Sequence, residues 1–410
     1  MWKTLRLYPN FARLFSATLI SAIGNNIHRI ALMVMVYSLT EEALWVSLAL
    51  GIQLITSVII GPLLSAWADV QERRKLLVLS DILRAPVVLL IPLLGIRSLP
   101  LLLILVICME ILRILHDPVS VAVIPELVPE SSMDAANGLM LFAVRFAEVV
   151  FVGLAGLLVA AAGTAVAFWI DAGTFLASGL LLLGLPQMQV ASDAERGYWA
   201  RVQGGINHIR RNPIIRRTVG TLACAALFGS VESVLGVVLA VSVMQVGSAG
   251  FGIMEAGMAF GAILGTVMIL QLTKKISRER IFLFGLLGFG VIEAAIGLFP
   301  AFSWVITAYF ISGVLNMAFL IPARSILMIN TPSELRTRTF AAFGAVMNSA
   351  VLAGTLLGGA LEKPLGAPTV FLLAGAAVFL VTFTTTFISA LSCPKDRAMQ
   401  HAAVEVSVAS

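Results

Sequence analysis

The residues able to do chemistry in this chain are few, and they stand isolated in apolar surroundings. Glu110, Arg113 and Asp117 are spaced by three and four, which stacks them on one face of a helix. Arg145 and Glu148 repeat the three-residue step in the next apolar stretch. Asn25, Asn26, His28 and Arg29 cluster in an earlier one, His116 adjoins Asp117, and Glu232, Asn316 and Arg324 fall in later stretches. An ionisable group at bilayer depth costs on the order of 3 kcal/mol unless it is paired or faces water. Residues retained at that cost suit two tasks, holding a polar substrate or carrying a proton, because a carboxyl's proton affinity follows its hydration and its neighbours. Other chemistries lack their residues. There is no G-x-S-x-G, no H-E-x-x-H and no phosphate-cradling G-x-x-x-x-G-K, and the four His are dispersed. Cys108, Cys224 and Cys393 show neither pairing nor metal-ligand spacing. No enzyme activity, metal or cofactor is expected.

The elements that position these groups follow from composition. Hydrophobic residues make up 59% of 410 and charged residues 12%, about half the usual charged fraction of a soluble domain. A helix needs roughly 20 apolar residues to cross the hydrocarbon layer, and the chain divides into about twelve such stretches. They run over 11–39, 44–68, 76–96, 100–124, 134–162 and 164–185, then 214–245, 249–273, 280–299, 302–329, 335–361 and 367–392. The fold class is therefore all-α and integral to the membrane, since only helices satisfy their own backbone in lipid without closing a barrel. The first stretch is too long for a signal-peptide core and reads as a span.

The longest polar connection divides the spans six and six. This predicts a bundle over 1–185, a linker over 186–213, a second bundle over 214–392 and a tail over 393–410. In the linker, Trp199, Val202, Ile206 and Ile209 share one helical face, as in an amphipathic helix lying on a leaflet beside anionic lipid. The net charge of +5 does not point to nucleic acid, because the cations sit in alternate connections and form no stripe. Arg13, Arg73, Arg74, Lys75, Arg216, Arg217, Lys274, Lys275, Arg336 and Arg338 mark one side, against Arg97 and Lys363 on the other. By the positive-inside rule both termini are cytoplasmic. Gly257, Gly261 and Gly265 give the eighth span a smooth face for close helix contact, a place for the bundles to slide. The halves also echo each other: Pro118 precedes Glu130 by the same interval as Pro322 precedes Glu334.

The connection after the second span reads Gly61-Pro-Leu-Leu-Ser-Ala-Trp-Ala-Asp69-Val-Gln-Glu-Arg73-Arg74-Lys75. It resembles the signature loop of the major facilitator superfamily. Pro322-Ala-Arg324-Ser and Thr331-Pro-Ser-Glu334-Leu-Arg336-Thr-Arg338-Thr-Phe340 look like the branch holding macrolide-efflux proteins and the enterobactin exporter, as does His208-Ile-Arg-Arg-Asn-Pro213. The resemblance spans nearly the whole chain. It implies two six-helix bundles about a central cavity, alternating access, and a switch loop in which Asp69 meets the start of the eleventh span near Ser333 and Glu334 while Arg73 and Arg74 balance charge. It also implies that spans one, four, seven and ten line the cavity, so that Asn25, Asn26, His28, Arg29, Glu110, Arg113, His116, Asp117, Glu232, Asn316 and Arg324 are candidates for substrate or proton, with Arg145 and Glu148 beside them. Arg84, Asp171 and Glu293, on peripheral spans, read as structural.

The function expected is secondary active transport in the cytoplasmic membrane, as a monomer. A proton antiporter exporting amphipathic small molecules such as drugs or siderophores leads. A lysophospholipid flippase or an uptake symporter of the same fold is the alternative, and a receptor is disfavoured. Gly24 is followed by Asn25 rather than a carboxylate, so proton coupling falls to Glu110 first, Glu148 second and Asp117 third.

Overall fold

The computed structural model describes residues 2–68, 71–188, 198–332 and 335–385. Among these every regular element is a helix. The spans are Pro9–Thr40, Ala43–Ile59 continued by Gly61–Ala68, Arg73–Leu94, Leu99–Ala122, and the long helix Met133–Leu182, which Gly163 breaks into two. The second half follows with Pro213–Val243, Gly247–Leu272, Arg278–Leu298, Phe302–Ile329, Arg336–Leu365 and Ala367–Thr385. That makes twelve crossings in two sets of six, close to the boundaries that hydropathy predicts.

Local chemistry explains the ends. Gly163 has φ +81°, a conformation an L side chain rarely adopts, and it turns the fifth span back into the sixth. Asn212 accepts from the backbone N–H of Ile214 and Ile215, capping the seventh span just before Pro213 at its first position. Glu72 caps the third span through Arg74 and Lys75. Of two internal breaks one carries a proline signal, Pro62, which has no N–H to offer the preceding turn, and one carries none. The second span bends at Ile60, and the seventh loosens after Val238 into a π turn over Leu239–Val243.

The apolar core is distributed unevenly. At the end opposite the arginine-rich connections, the far end, one cluster takes Ile30, Val46, Val88 and Phe168 from the first half together with Val234, Phe251, Tyr309 and Phe371 from the second. At the basic end the core splits. Phe11, Leu77, Val123 and Leu139 form a cluster within the first half, while Ile215, Leu286, Ala323 and Ala342 form another within the second. In lipid such contacts are held by packing rather than by expelling water, so close approach matters. A Cβ on Gly156 would sit 2.5 Å from the Ser248 carbonyl and 2.6 Å from Gly252 Cα, so spans five and eight touch backbone to backbone at this seam.

Two expectations need correction. Gly261 and Gly265 pack on Phe310 and Val314 of the tenth span, inside the second half, so this face does not carry sliding between halves; Gly252 meets the first half instead. The linker helix Tyr198–Arg211 forms, but Val202 and Ile209 are buried, and a Cβ on Gly205 would strike the Arg338 carbonyl. Its apolar face therefore docks on the eleventh span rather than on lipid. Trp199 and Arg201 fall where side chains are not described, and Asp69, Ser333, Glu334 and the tail 393–410 lie outside the described residues.

Candidate functional site

The fourth span supplies the centre of the site. Its helical register brings Glu110, Arg113 and Asp117 onto one face, and Arg113 donates to both neighbours: Nη2 to Glu110 Oε1 at 2.5 Å, Nε to Glu110 Oε2 at 2.8 Å and Nη1 to Asp117 Oδ2 at 3.0 Å. Glu110 is buried while Arg113 and Asp117 reach the surface of a cavity. The cavity holds about 270 Å³ between spans one to four, and Asn25, His28, Arg29, Gln53 and Arg84 complete its polar wall. A second cavity of about 470 Å³ adjoins it toward the basic end, sharing Asn25 and Asp117 and adding Asn26, His116 and Ser120 to a mostly apolar wall. Continuous polar atoms on one side and apolar side chains on the other suit an amphipathic occupant.

Behind the wall lies a buried network that sequence spacing does not reveal. Asp81, on the third span, accepts from Arg84 Nη1 at 3.1 Å and from Ser178 Oγ at 2.5 Å, and His116 Nε2 approaches the same carboxylate at 3.5 Å. His116 Nδ1 is also 3.5 Å from Asp117 Oδ1, so the network joins the cavity cluster through one imidazole. Arg84 is 1% exposed, lies over the Phe175 ring and leaves Nε and Nη2 without acceptors. His28 Nδ1 lies 3.0 Å from Asp171 Oδ2. Arg84 and Asp171 are thus part of the polar interior rather than peripheral. Their signal was present as ionisable residues inside apolar stretches, and assigning the third and sixth spans to the periphery masked it.

The remaining candidates separate. Arg29 Nη2 reaches across the halves to Glu255 Oε2 at 2.7 Å. Arg145 and Glu148 pair at 2.6 Å on an exposed face of the fifth span and join neither cavity. Asn26 turns back to the Ala22 carbonyl at 2.8 Å while still lining the larger cavity. Glu232 is buried among second-half helices, away from both cavities. Among the described residues Asn316 and Arg324 make no side-chain hydrogen bond or ion pair. After the second span, Arg73 bonds Glu126 and the Ala122 carbonyl, and Arg74 donates to the Leu183 carbonyl at 2.6 Å. Both arginines therefore tie the start of the third span to the ends of spans four and six of its own half.

Cavities walled by paired charges inside a twelve-span helical body define a membrane transporter. The chain belongs to the Major Facilitator Superfamily, whose sequence model matches residues 14–348. It is 22% identical over 92% of its length to the multidrug efflux pump Tap of Mycolicibacterium fortuitum, covering 94% of that protein. It is 23% identical over 88% to the enterobactin exporter EntS of Salmonella choleraesuis, covering 87%, and 24% identical to the uncharacterised transporter YfiS of Bacillus subtilis, with 91% of each chain covered. Among solved structures, the nucleoside transporter NupG superposes with a TM-score of 0.74 at 12% identity, covering 92% of this chain and 98% of that one. A bacterial homolog of the lysosomal transporter Spinster superposes at 0.70 and 16%, covering 92% and 98%. These likenesses establish the fold.

Proposed function

We propose that the protein is a proton-driven exporter of amphipathic small molecules, drugs or siderophores among them, working by alternating access as a monomer of the cytoplasmic membrane. The observation that carries this is the Glu110–Arg113–Asp117 cluster, which faces a cavity and connects through His116 to the buried Asp81 and Arg84. Two carboxylates sharing one guanidinium, with an imidazole beside one of them, can take up and release a proton through the carboxyl and imidazole groups when hydration of the cavity changes. The export direction draws support from the efflux pump and the siderophore exporter among the relatives.

In this reading the units are 1–185 and 214–392, joined by 186–213, with the basic end and both termini cytoplasmic. The shared core at the far end and the split core at the basic end then describe a cavity open to the cytoplasm. Opening outward would part Tyr37 from Ser242, Arg29 from Glu255 and Lys363 from Glu42. Asp69 would hold the basic end shut in that state. The test is a panel of amphipathic compounds offered to inside-out vesicles with and without a pH gradient. At least one compound should accumulate only when the vesicle interior is acid; accumulation indifferent to the gradient, or of none of the compounds, overturns the proposal.

A further inference from the structure

The second half contains a polar site that the cavity chemistry does not use. Glu232 of the seventh span and Glu293 of the ninth are 4% and 0% exposed, and the two carboxyls are neighbours in the interior. Glu232 Oε1 and both Glu293 oxygens receive no donor among the described residues. Tyr309 of the tenth span is fully buried with its hydroxyl also unpartnered. That hydroxyl lies where a Cβ on Gly236 would come within 2.7 Å, one helical turn beyond Glu232 and on the same face. The other charged group near the pair is Glu255 of the eighth span. Spans eleven and twelve, which pack against seven and nine, have no ionisable side chain over 339–361 or 367–385. Among the described residues no Arg, Lys or His of the second half is buried here to balance the charge. Glu255 itself is balanced from outside, by Arg29 of the first span at 2.7 Å.

Two neighbouring carboxylates in a dry interior are held together only with a positive charge between them. The described residues contain no cluster of three or more His, Cys, Asp or Glu side chains fit for a metal ion. A proton needs only the two carboxyls. We propose that Glu232 and Glu293 form a proton-carrying site in the second half, with Tyr309 as the adjoining hydroxyl, and that the Arg29–Glu255 ion pair gates its occupancy. While the far end is closed, Arg29 cancels Glu255 and the pair is free to give its proton to water. When the far end opens, Arg29 leaves with the first half, and the uncovered Glu255 carboxylate draws a proton onto the pair. Uptake with the far end open and release with it closed is the order an exporter driven by an inward proton flow requires. The gating sense thus rests on the export reading above, while the site itself does not.

The site is tested without any transported compound, by infrared spectroscopy of the purified full chain across a pH series, following the C=O stretch of protonated carboxyls. The Glu232→Gln/Glu293→Gln double variant should lose one such band per molecule at neutral pH, whereas the exposed Glu279→Gln keeps it. Either single amide should keep one protonated carboxyl, because the remaining partner still lies buried. Arg29→Ala should retain the band at pH values where the unchanged protein has lost it. A double variant that keeps the full band, while monodisperse and folded, overturns the site. An Arg29→Ala titration that overlays the unchanged one overturns the gate. Failure of the vesicle experiment alone, with the band lost as expected, would reject export and leave the site standing.

Discussion

The two halves treat buried charge in opposite ways. In the first, the buried Asp81, Arg84, Glu110, His116 and Asp171 each meet a complementary group, and the network they form reaches water through two cavities. In the second, the buried charged residues among those described are Glu232, Glu255 and Glu293, with no cation of their own half beside them. A paired network sets each charge against an opposite one, so its protonation changes only as the hydration of its cavity changes. A set of carboxyls alone must gain or lose something when its surroundings change. The one cation reaching that set, Arg29, comes from the other half. What couples the halves is therefore a charge that one has and the other lacks.

The largest effect expected from breaking this contrast comes from Arg84→Ala. It strips the guanidinium from an Asp81 that is 0% exposed, and an orphaned buried charge typically costs about 3–5 kcal/mol. Thermal unfolding in detergent should show a heavily destabilised or unfoldable protein. Glu293→Gln in the other half removes no opposite charge and supplies an amide donor to Glu232, so it should unfold at or above the temperature of the unchanged protein. Equal losses in both variants would erase the distinction between the halves.

Next in size is Glu110→Gln. Arg113 keeps Asp117 as a partner, so the fold should survive, and downhill exchange of a transported compound should persist. Gradient-driven accumulation in vesicles should fall to the level seen without a gradient. Full driven transport in this variant would move coupling wholly to the second half and leave the fourth-span cluster a substrate contact.

Much of this arrangement was legible in the sequence, and the parts that were not have a common cause. Twelve apolar stretches and the stacked Glu110, Arg113 and Asp117 follow from the length and periodicity of single helices. Partners on different helices do not. Asp81 finds Ser178 at a separation of 97 residues and Arg29 finds Glu255 at 226, and no local spacing encodes either. The same blindness assigned the Gly257–Gly265 face to the seam between halves, since a stripe of small residues announces close contact without saying with what. Glu255, two residues before that stripe, stands alone as the charged residue of its helix, so no spacing marks it.

The seam offers a smaller and cleaner perturbation. Gly156→Val would place a branched side chain against the Ser248 carbonyl and the Gly252 backbone, where spans five and eight touch at the far end. Overpacking of this kind costs about 1–3 kcal/mol, and the cost falls only on the state in which the far end is closed. The balance should shift roughly tenfold toward far-end opening, read as faster labelling of a cysteine placed at Leu235, which is buried in the shared core. Labelling at the unchanged rate would mean that the two halves do not separate along this seam.

The smallest effect belongs to Lys363, whose ammonium sits 2.7 Å from Glu42 Oε1 where spans two and eleven bring the halves together. The distance invites the idea that this ion pair latches the far end. Its exposure argues otherwise: the lysine side chain is 79% and the glutamate 38% accessible, so water and salt already satisfy both. The closed far end has instead a continuous apolar core and, one turn from Lys363, Gly359 packed close on Ser47 and the Ala43 carbonyl of the second span. Lys363→Ala should leave thermal unfolding and transport close to those of the unchanged protein, at low and at high salt alike. A cysteine at the same position should react with a membrane-impermeant reagent added outside intact cells, which also checks the sidedness assigned from the arginine count. A transport defect that grows as salt is lowered would show that exposed charge, rather than the apolar seam, decides when the two halves part.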